Sequence, residues 1–449
     1  MKIAVIGTGY VGLVTGVCLA EVGHHVTCID INEEKVEKLR KGIPPIYEKG
    51  LDVLMIDNID RNRLKFTTVH KEGLSDAEVV YIAVGTPQSA DGSADLTYIY
   101  QAAKDIGEHV NRDVLVVTKS TVPLGTNFQV KEIVEDHVKG PFKVEVASNP
   151  EFLREGSAVY DTFNGDRIVI GTETEEAAAI LEKINEPFDI PVLKTSITSA
   201  EMIKYASNAF LATKISFINE IASLSEKVGA DISDVAKGVG QDHRIGSQFL
   251  NAGIGYGGSC FPKDTQALVR ISEEVEHDFK LLKSVIDVNA RQKTTLFEKA
   301  KKRFGTLKGM RVALLGLAFK PETDDMREAA SIEMANALTA EGAEVIAYDP
   351  IAMENAKKVL PESVQYAENI ENAIKDATVV FILTDWKEIK EKALLFSSLF
   401  MKKPIIFDGR NCYSQEETEK VQVEYYSVGR SAVNERAIHD SNKQLAASF

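Results

Sequence analysis

Met1-Lys2-Ile3-Ala4-Val5-Ile6-Gly7-Thr8-Gly9-Tyr10-Val11-Gly12 opens the chain with an apolar strand, a glycine turn and the start of a helical pattern. A second apolar run at 25–30 ends in Asp30, 18 residues beyond Gly12. In this arrangement Gly7 permits a tight turn, Gly9 lets backbone approach a pyrophosphate, and Gly12 lets helix lie close on strand. The amides of the helix start, Tyr10 and Val11 included, and the positive end of its dipole attract the same anion. Asp30 suits the hydroxyls of an adenine ribose and repels a 2′-phosphate, which favours NAD over NADP; Lys35 nearby weakens that preference slightly.

Outward from this stretch, short apolar runs alternate with helical patterns, as βαβ units with a parallel sheet do. The expected strands are 2–6, 25–30, 64–68, 79–84, 114–120, 144–148, 167–171 and 191–194. Residues 199–227 carry the longest helical pattern, with Met202, Ala206, Ala209, Phe210, Thr213, Phe217, Ile221 and Leu224 at spacings of three and four after a Ser199 cap. A helical stretch through 262–303 follows, ending in Lys301-Lys302-Arg303-Phe304-Gly305, which reads as a linker. The pattern then restarts with a strand at 311–315, Gly316, a helix at 331–341 and a strand at 344–349. The expected fold is α/β: two Rossmann-like, doubly wound parallel-sheet domains joined by a long central helix and a helical middle region. Its divisions are an NAD-binding domain at 1–198, a central dimerisation region at 199–303, a second Rossmann-like domain at 304–432 and a loosely held tail at 433–449.

Composition narrows the function. The 449 residues allow two or three folding units, and 44% hydrophobic with 27% charged residues is ordinary for a globular chain. The net charge of −15 argues against nucleic acid, which is bound through lysine and arginine on phosphate. No apolar run approaches the ~20 residues of a membrane span, and the N-terminus lacks a signal-peptide pattern, so a cytoplasmic address is expected. The four cysteines, Cys18, Cys28, Cys260 and Cys412, form no CxxC or Cys/His cluster, so neither a disulfide framework nor a metal site is expected.

Ligands of an open parallel sheet sit outside the carboxyl ends of the strands. Three loops fall there: Gly85-Thr86-Pro87, Lys119-Ser120-Thr121-Val122-Pro123, and Asn149-Pro150-Glu151-Phe152-Leu153-Arg154-Glu155-Gly156. Turn-shaping explains many of these residues. Glu151 and Glu155 stand apart, spaced i,i+4 on what should be a first helical turn. Cys260 lies in Gly253-Ile254-Gly255-Tyr256-Gly257-Gly258-Ser259-Cys260-Phe261-Pro262-Lys263-Asp264, where glycines allow close ligand approach and Pro262 suits a helix start. The helix dipole and Lys263 should raise its thiolate fraction, with Asp264 one turn on. Cys18, Cys28 and Cys412 read as small buried hydrophobes. Lys204 and Asn208 share one helix face; a lysine is more often solvated, but two polar groups on so apolar a helix suit a substrate-facing pair. In the second half Lys320, Arg327 and Arg410 suit a diphosphate, the alternative being surface charge balance, and the lack of a complete GxGxxG argues against a second NAD.

These segments together resemble the UDP-glucose/GDP-mannose dehydrogenase family, over nearly the whole chain. The most specific is Gly255–Asp264, supported by Asn149–Gly156, Lys204/Asn208, Gln241-Asp242-His243-Arg244-Ile245-Gly246 and Phe319-Lys320. The resemblance implies two successive hydride transfers to NAD, taking carbon 6 of a sugar nucleotide from alcohol to acid, with UDP-glucose favoured among the family's substrates. It implies that Cys260 is the nucleophile, forming a thiohemiacetal and then a thioester. Lys204 would be acid/base and, with Asn208, stabilise oxyanions, Glu151 would assist hydrolysis, and Asp264 and Thr121 would hold water. Substrate contacts would come from Glu151, Phe152, Leu153, Arg154 and Glu155, from Lys204 and Asn208, and from Asn251, Ala252, Gly253, Ile254, Gly255, Tyr256 and Gly257. Phe319, Lys320 and Arg410 would meet it from the C-terminal domain, and Arg244 from a neighbouring subunit. Thr86, Thr121, Glu155, Lys263 and Arg327 would join the fingerprint residues on NAD. A homodimer or larger homo-oligomer is expected, since the apolar central helix needs covering. A hydroxyacid dehydrogenase also joins a Rossmann domain to a helix bearing a Lys-xxx-Asn pair; Cys260 separates the two readings.

Overall fold

The computed structural model describes residues 1–434, which fold as two compact units: Met1–Ala209 with Lys263–Phe279, and Phe210–Pro262 with the described residues from Lys280 onward. The first unit is built on eight strands, β1 (Lys2–Ile6), β2 (His25–Ile29), β3 (Leu64–Thr67), β4 (Val79–Ile82), β5 (Val114–Thr118), β6 (Val144–Ser148), β7 (Ile168–Thr172) and β8 (Val192–Thr195). Their order is β3-β2-β1-β4-β5-β6-β7-β8, so the winding reverses between β1 and β4. All four residues of β4 and all five of β5 are buried, because helices cover both faces. Successive side chains of β1 alternate accordingly: Ile3 and Val5 join one core cluster, Ala4 and Ile6 the other.

One strand pair departs from the expected parallel sheet, since β6 and β7 run antiparallel. The connection between them contains only the six-residue helix Ala158–Phe163. At about 1.5 Å per residue that helix spans about 9 Å, too short to carry the chain back along a five-residue strand of about 17 Å.

The second unit has six parallel strands, β9 (Arg311–Leu315), β10 (Glu344–Tyr348), β11 (Gln365–Tyr366), β12 (Val379–Ile382), β13 (Ile405–Asp408) and β14 (Glu424–Tyr426), in the order β11-β10-β9-β12-β13-β14. Gly316 turns the chain after β9 at φ +86°, and Asp349 ends β10, so the outline of the first unit repeats. The detail does not. Asp349 is fully buried and its carboxylate accepts the amides of Leu317 at 2.7 Å, Ala318 at 3.1 Å, Ile351 at 2.9 Å and Ala352 at 2.8 Å. The Trp386 indole N–H, at 3.0 Å, donates to it as well. The amides that would face a second pyrophosphate are thus satisfied by the chain's own carboxylate.

The central helix runs from Ile197 to Val228, 32 residues and about 48 Å. Its cap is Ser196, whose Oγ accepts the Ser199 amide at 3.3 Å, rather than Ser199 itself. Of the apolar stripe expected to need covering, Met202, Phe210, Phe217 and Leu224 are exposed. The buried residues include Glu201, Lys204, Asn208, Ser216 and Asn219 beside Tyr205, Ala212, Ile218 and Ala222. The mostly helical stretch expected through 262–303 is three helices, Phe261–Glu274, Lys280–Gln292 and Thr295–Phe304. Lys301–Gly305 is not a linker but the last turn of the third, closed by Gly305 at φ +75°. Arg303 there pairs with Glu424, and Lys301 with Glu341 at 2.6 Å; basic side chains favour that end of the dipole.

Of the tail expected from 433, residues 435–449 lie outside the described residues, while Val433 exchanges backbone hydrogen bonds with Tyr425 at 3.0 and 2.9 Å. No described helix is long and apolar enough to cross a membrane. Asp349→Ala should orphan several buried donors at about 1–3 kcal/mol each; a thermal melt of the variant is expected to show a midpoint clearly below that of the parent.

Candidate active site

At the reversal between β1 and β4 the three fingerprint glycines occupy three different environments. Gly7, at φ +94°, leaves no room for a side chain, since a Cβ would stand 2.8 Å from the Ala83 carbonyl oxygen. Gly12 packs directly on the Gly7 carbonyl and Ala83, whereas Gly9 has nothing within 4 Å. The helix Tyr10–Glu21 starts at Gly9 without a side-chain cap, so its amides are open to an anion, with Val11 in its first turn. Asp30 accepts the Thr8 amide at 3.0 Å, Thr8 Oγ1 at 2.6 Å, the Asn32 amide at 3.1 Å and Lys35 Nζ at 2.7 Å. Burial pushes its carboxyl up, but Lys35, Thr8 and Asn32 more than offset this and hold it below the usual range. Lys35 therefore anchors the carboxylate. An uncapped helix start, an open glycine and an ionised carboxylate at the next strand end fit a dinucleotide. The loops after β4 and β5 meet where Thr86 Oγ1 donates to the Thr121 carbonyl at 3.0 Å. Tyr10 donates to Glu48, which also accepts the Gly156 amide at 2.9 Å.

Beside this edge the first unit buries a polar cluster. Lys204 Nζ lies 2.8 Å from Glu151 Oε1, with both side chains almost wholly buried. The other carboxylate oxygen of Glu151 accepts the Leu153 amide at 2.6 Å. Burial opposes charge on Glu151, yet Lys204, the Leu153 amide and Lys119 hold it below the usual carboxylate range. Glu151 and Glu155 do not share a helical turn: residues 151–154 are irregular and the helix begins only at Ala158. The bent backbone lets Glu151 turn inward, while Glu155 is half-buried and Arg154 is exposed, pairing with Asp161. Two cations approach the Phe152 ring, the Arg167 guanidinium at 3.6 Å and Lys204 Nζ at 5.4 Å from its centre. One turn along the helix, Asn208 Nδ2 donates to Asp264 Oδ2 at 2.6 Å, and Lys263 Nζ meets Asp264 Oδ1 at 2.6 Å. Lys263, read as a neighbour that would acidify the thiol, is turned to this carboxylate.

In the second unit Cys260 is half-buried, 3.6 Å from Ser259 Oγ, and the helix Phe261–Glu274 starts at the next residue. The preceding glycines are shaped by the chain's own backbone: a Cβ on Gly257 would overlap the Glu328 carbonyl, and one on Gly253 would stand 2.7 Å from the Gly409 carbonyl. Residues 252–256 are buried, Asn251 exposed. Gly253 donates to Asn219 at 2.9 Å, Ile254 to the Gly409 carbonyl at 3.0 Å, and Tyr256 exchanges two hydrogen bonds with the Asn289 amide at 2.8 and 3.0 Å. Arg410 is half-buried and donates to the carbonyls of Leu383 at 2.8 Å, Gly255 at 3.2 Å and Phe319 at 3.0 Å, which uses three of its five N–H donors. Lys320 is half-buried, its amine 5.5 Å from the Phe319 ring centre. Arg327 pairs with Asp325 and Arg244 with Asp242, both exposed. Of the other thiols, Cys18 and Cys28 are fully buried and burial pushes each to about 12. Cys412 is half-buried against the second core and also raised.

Sequence reasoning passed over Lys119, Asn149, Arg167 and Glu48 as site residues. Lys119 donates to Asn149 Oδ1 at 3.1 Å, and burial pushes its ammonium down to about 8 against the pull of Glu151, with Lys204 adding to the fall. Its signal was position, a lysine directly beyond the carboxyl end of a buried strand.

Three domain patterns of the UDP-glucose/GDP-mannose dehydrogenase family match the chain: the NAD binding domain over residues 1–189, the central domain over 198–291 and the UDP binding domain over 313–415. The chain is 61% identical to the UDP-glucose 6-dehydrogenase YwqF of Bacillus subtilis (strain 168), over 96% of this chain and 98% of that protein. It is 46% identical to the UDP-glucose 6-dehydrogenase of Rhizobium meliloti (strain 1021), over 96% and 100%. Among solved structures it is similar to a UDP-glucose dehydrogenase from the archaeon Pyrobaculum islandicum, with TM-score 0.89 and 41% identity over 96% and 98% of the two chains. It is also similar to a UDP-D-ManNAc dehydrogenase from Pyrococcus horikoshii, with TM-score 0.84 and 28% identity over 96% and 99%.

Because Lys204 and Glu151 are both buried, removing one strands the other. Glu151→Ala is expected to lower stability by about 3 kcal/mol or more, and Glu151→Leu combined with Lys204→Met by distinctly less. Urea unfolding followed by near-UV circular dichroism compares the two.

Proposed function

The chain belongs to the UDP-glucose/GDP-mannose dehydrogenase family, and from that premise we propose that it oxidises UDP-glucose to UDP-glucuronate with two NAD and one water per sugar. The observation that carries this reading is the buried Lys204–Glu151 pair, with Asn208 and Asp264 alongside, in the same unit as the open glycine turn. Gly7, Gly9, Gly12, Tyr10, Val11, Asp30, Lys35, Thr86 and Thr121 are the residues we assign to NAD, which accepts a hydride in each oxidation.

In the first oxidation Lys204 takes the proton of the C6 hydroxyl as hydride leaves carbon 6, giving the aldehyde. The Cys260 thiolate adds to the carbonyl carbon, and the resulting thiohemiacetal oxyanion is stabilised by Lys204 and Asn208. A second hydride leaves the same carbon to give a thioester. Water, held by Asp264 and Thr121 and assisted by Glu151, attacks the acyl carbon, and the carbon–sulfur bond breaks. The carboxylate departs and the thiol returns. Two hydrides and three protons are released in all. The thioester keeps the aldehyde from escaping and stores the second oxidation as a hydrolysable acyl group.

The identities to the two UDP-glucose 6-dehydrogenases support glucose as the sugar, against 28% to the UDP-D-ManNAc enzyme. We further assign residues 199–303 to dimerisation, the reaction to the cytoplasm and the product to acidic cell-surface polysaccharide. Phe210, Phe217 and Leu224, seven residues apart on the central helix, are 66, 54 and 55% exposed. Covering them against a second copy gains about 1.5–3 kcal/mol for each side chain.

NADH yield with UDP-glucose, UDP-N-acetylhexosamine and GDP-mannose tests the reading: two NADH per UDP-glucose consumed are expected, and one per turnover overturns it. Cys260→Ser is expected to bind UDP-glucose normally and barely complete the second half of the reaction. Phe217→Asp should shift the sedimentation coefficient toward that of a monomer.

A further inference from the structure

We propose that Lys119 is a positioning residue of this site, a second cation whose charge sets the protonation of the Lys204–Glu151 pair. The inference rests on the catalytic reading of that pair given above.

Lys119 is held by the sheet on both sides. Its amide donates to the Ile82 carbonyl of β4 at 2.9 Å. Its amine donates to Asn149 Oδ1 at 3.1 Å, and Asn149 is fixed in turn by donating to the Val169 carbonyl at 2.8 Å and, through its backbone, to the Thr118 carbonyl at 3.0 Å. An amine anchored to Asn149 stands beside the loop that delivers Glu151, two residues further on.

The charged groups of the surrounding elements leave this cation in excess. Glu151, in the loop after β6, is shared between Lys204 on the central helix and the Leu153 amide. Asp264 is taken by Lys263 and Asn208, and Glu201 by Asn127 and the Gly125 amide. Arg167, ahead of β7, adds a further positive charge over Phe152. One buried carboxylate therefore faces two lysines, and like charges in a poorly solvated site do not both persist. Burial places the Lys119 ammonium near 8, within reach of ordinary working pH. A positive charge on Lys119 disfavours the proton on Lys204, so Lys204 can act as a base at lower pH than Glu151 alone would allow. Removing that charge raises the pH at which Lys204 gives up its proton.

The test compares the parent with Lys119→Met and Lys119→Arg, using kcat and KM for UDP-glucose from pH 6 to 10 together with NMR titration of 13Cε-labelled lysines, which needs no substrate. For Lys119→Met the rising limb of kcat and the Lys204 titration should both move up by about one pH unit, with KM changed less than about twofold. Lys119→Arg should keep the position of the parent's limb but lose the inflection near 8, because arginine does not titrate there. An unmoved Lys204 titration in Lys119→Met overturns the proposal, as does an inflection near 8 that persists in Lys119→Arg if the Met variant does not fold. A parent that makes no NADH from UDP-glucose fails the catalytic reading instead, and the lysine titrations still decide the role of Lys119.

Discussion

A lysine and a glutamate buried against each other, Lys204 and Glu151, impose the strictest condition on the first unit. Neither charge is solvated, so each survives only while the other stays within hydrogen-bond reach, at 2.8 Å. That distance must be kept between a loop beyond β6 and a helix some fifty residues later. Asn149 ties the loop to β7, Leu153 closes the second carboxylate oxygen, and Ser196 caps the helix that begins at Ile197. The antiparallel entry of β7 belongs to the same arrangement, since the chain between β6 and β7 is irregular where Glu151 turns inward.

Buried ion pairs seldom raise stability over an apolar pair of the same volume. The central helix is an extended instance: it buries Glu201, Lys204, Asn208 and Asn219 beside Tyr205 and Ile218 and carries its phenylalanines outside. An inward stripe of that kind serves chemistry and the holding of loops, as when Asn219 accepts the Gly253 amide. The outward stripe is left for another surface to cover.

The two sheets show how one outline diverges. Gly9 and Asp30 leave an anion-accepting edge in the first unit, whereas Ala318, Asp349 and Trp386 close the matching edge of the second. Arg410 donates to three carbonyls and so fixes the loops at 255 and 319 relative to each other.

Much of the fold was legible in the sequence because it depends on local repetition. Strands buried on both faces read as unbroken apolar runs, the glycine turn and Asp30 fall at fixed offsets, and β1 to β8 begin within a residue or so of their expected places. Lys204 and Asn208 were legible as a pair because the helix repeat puts them on one face. Hidden from it were the features set by what meets across the chain. Periodicity groups Phe210, Phe217 and Leu224 but cannot say whether their face turns inward, and spacing places Glu151 and Glu155 on one turn without registering that the turn is not helical. Sequence puts Lys119 in a loop at the sheet's carboxyl edge and leaves Arg410 between a diphosphate ligand and surface charge. Only tertiary structure removes their water and chooses their partners, since burial and pairing are decided by residues tens to hundreds of positions away.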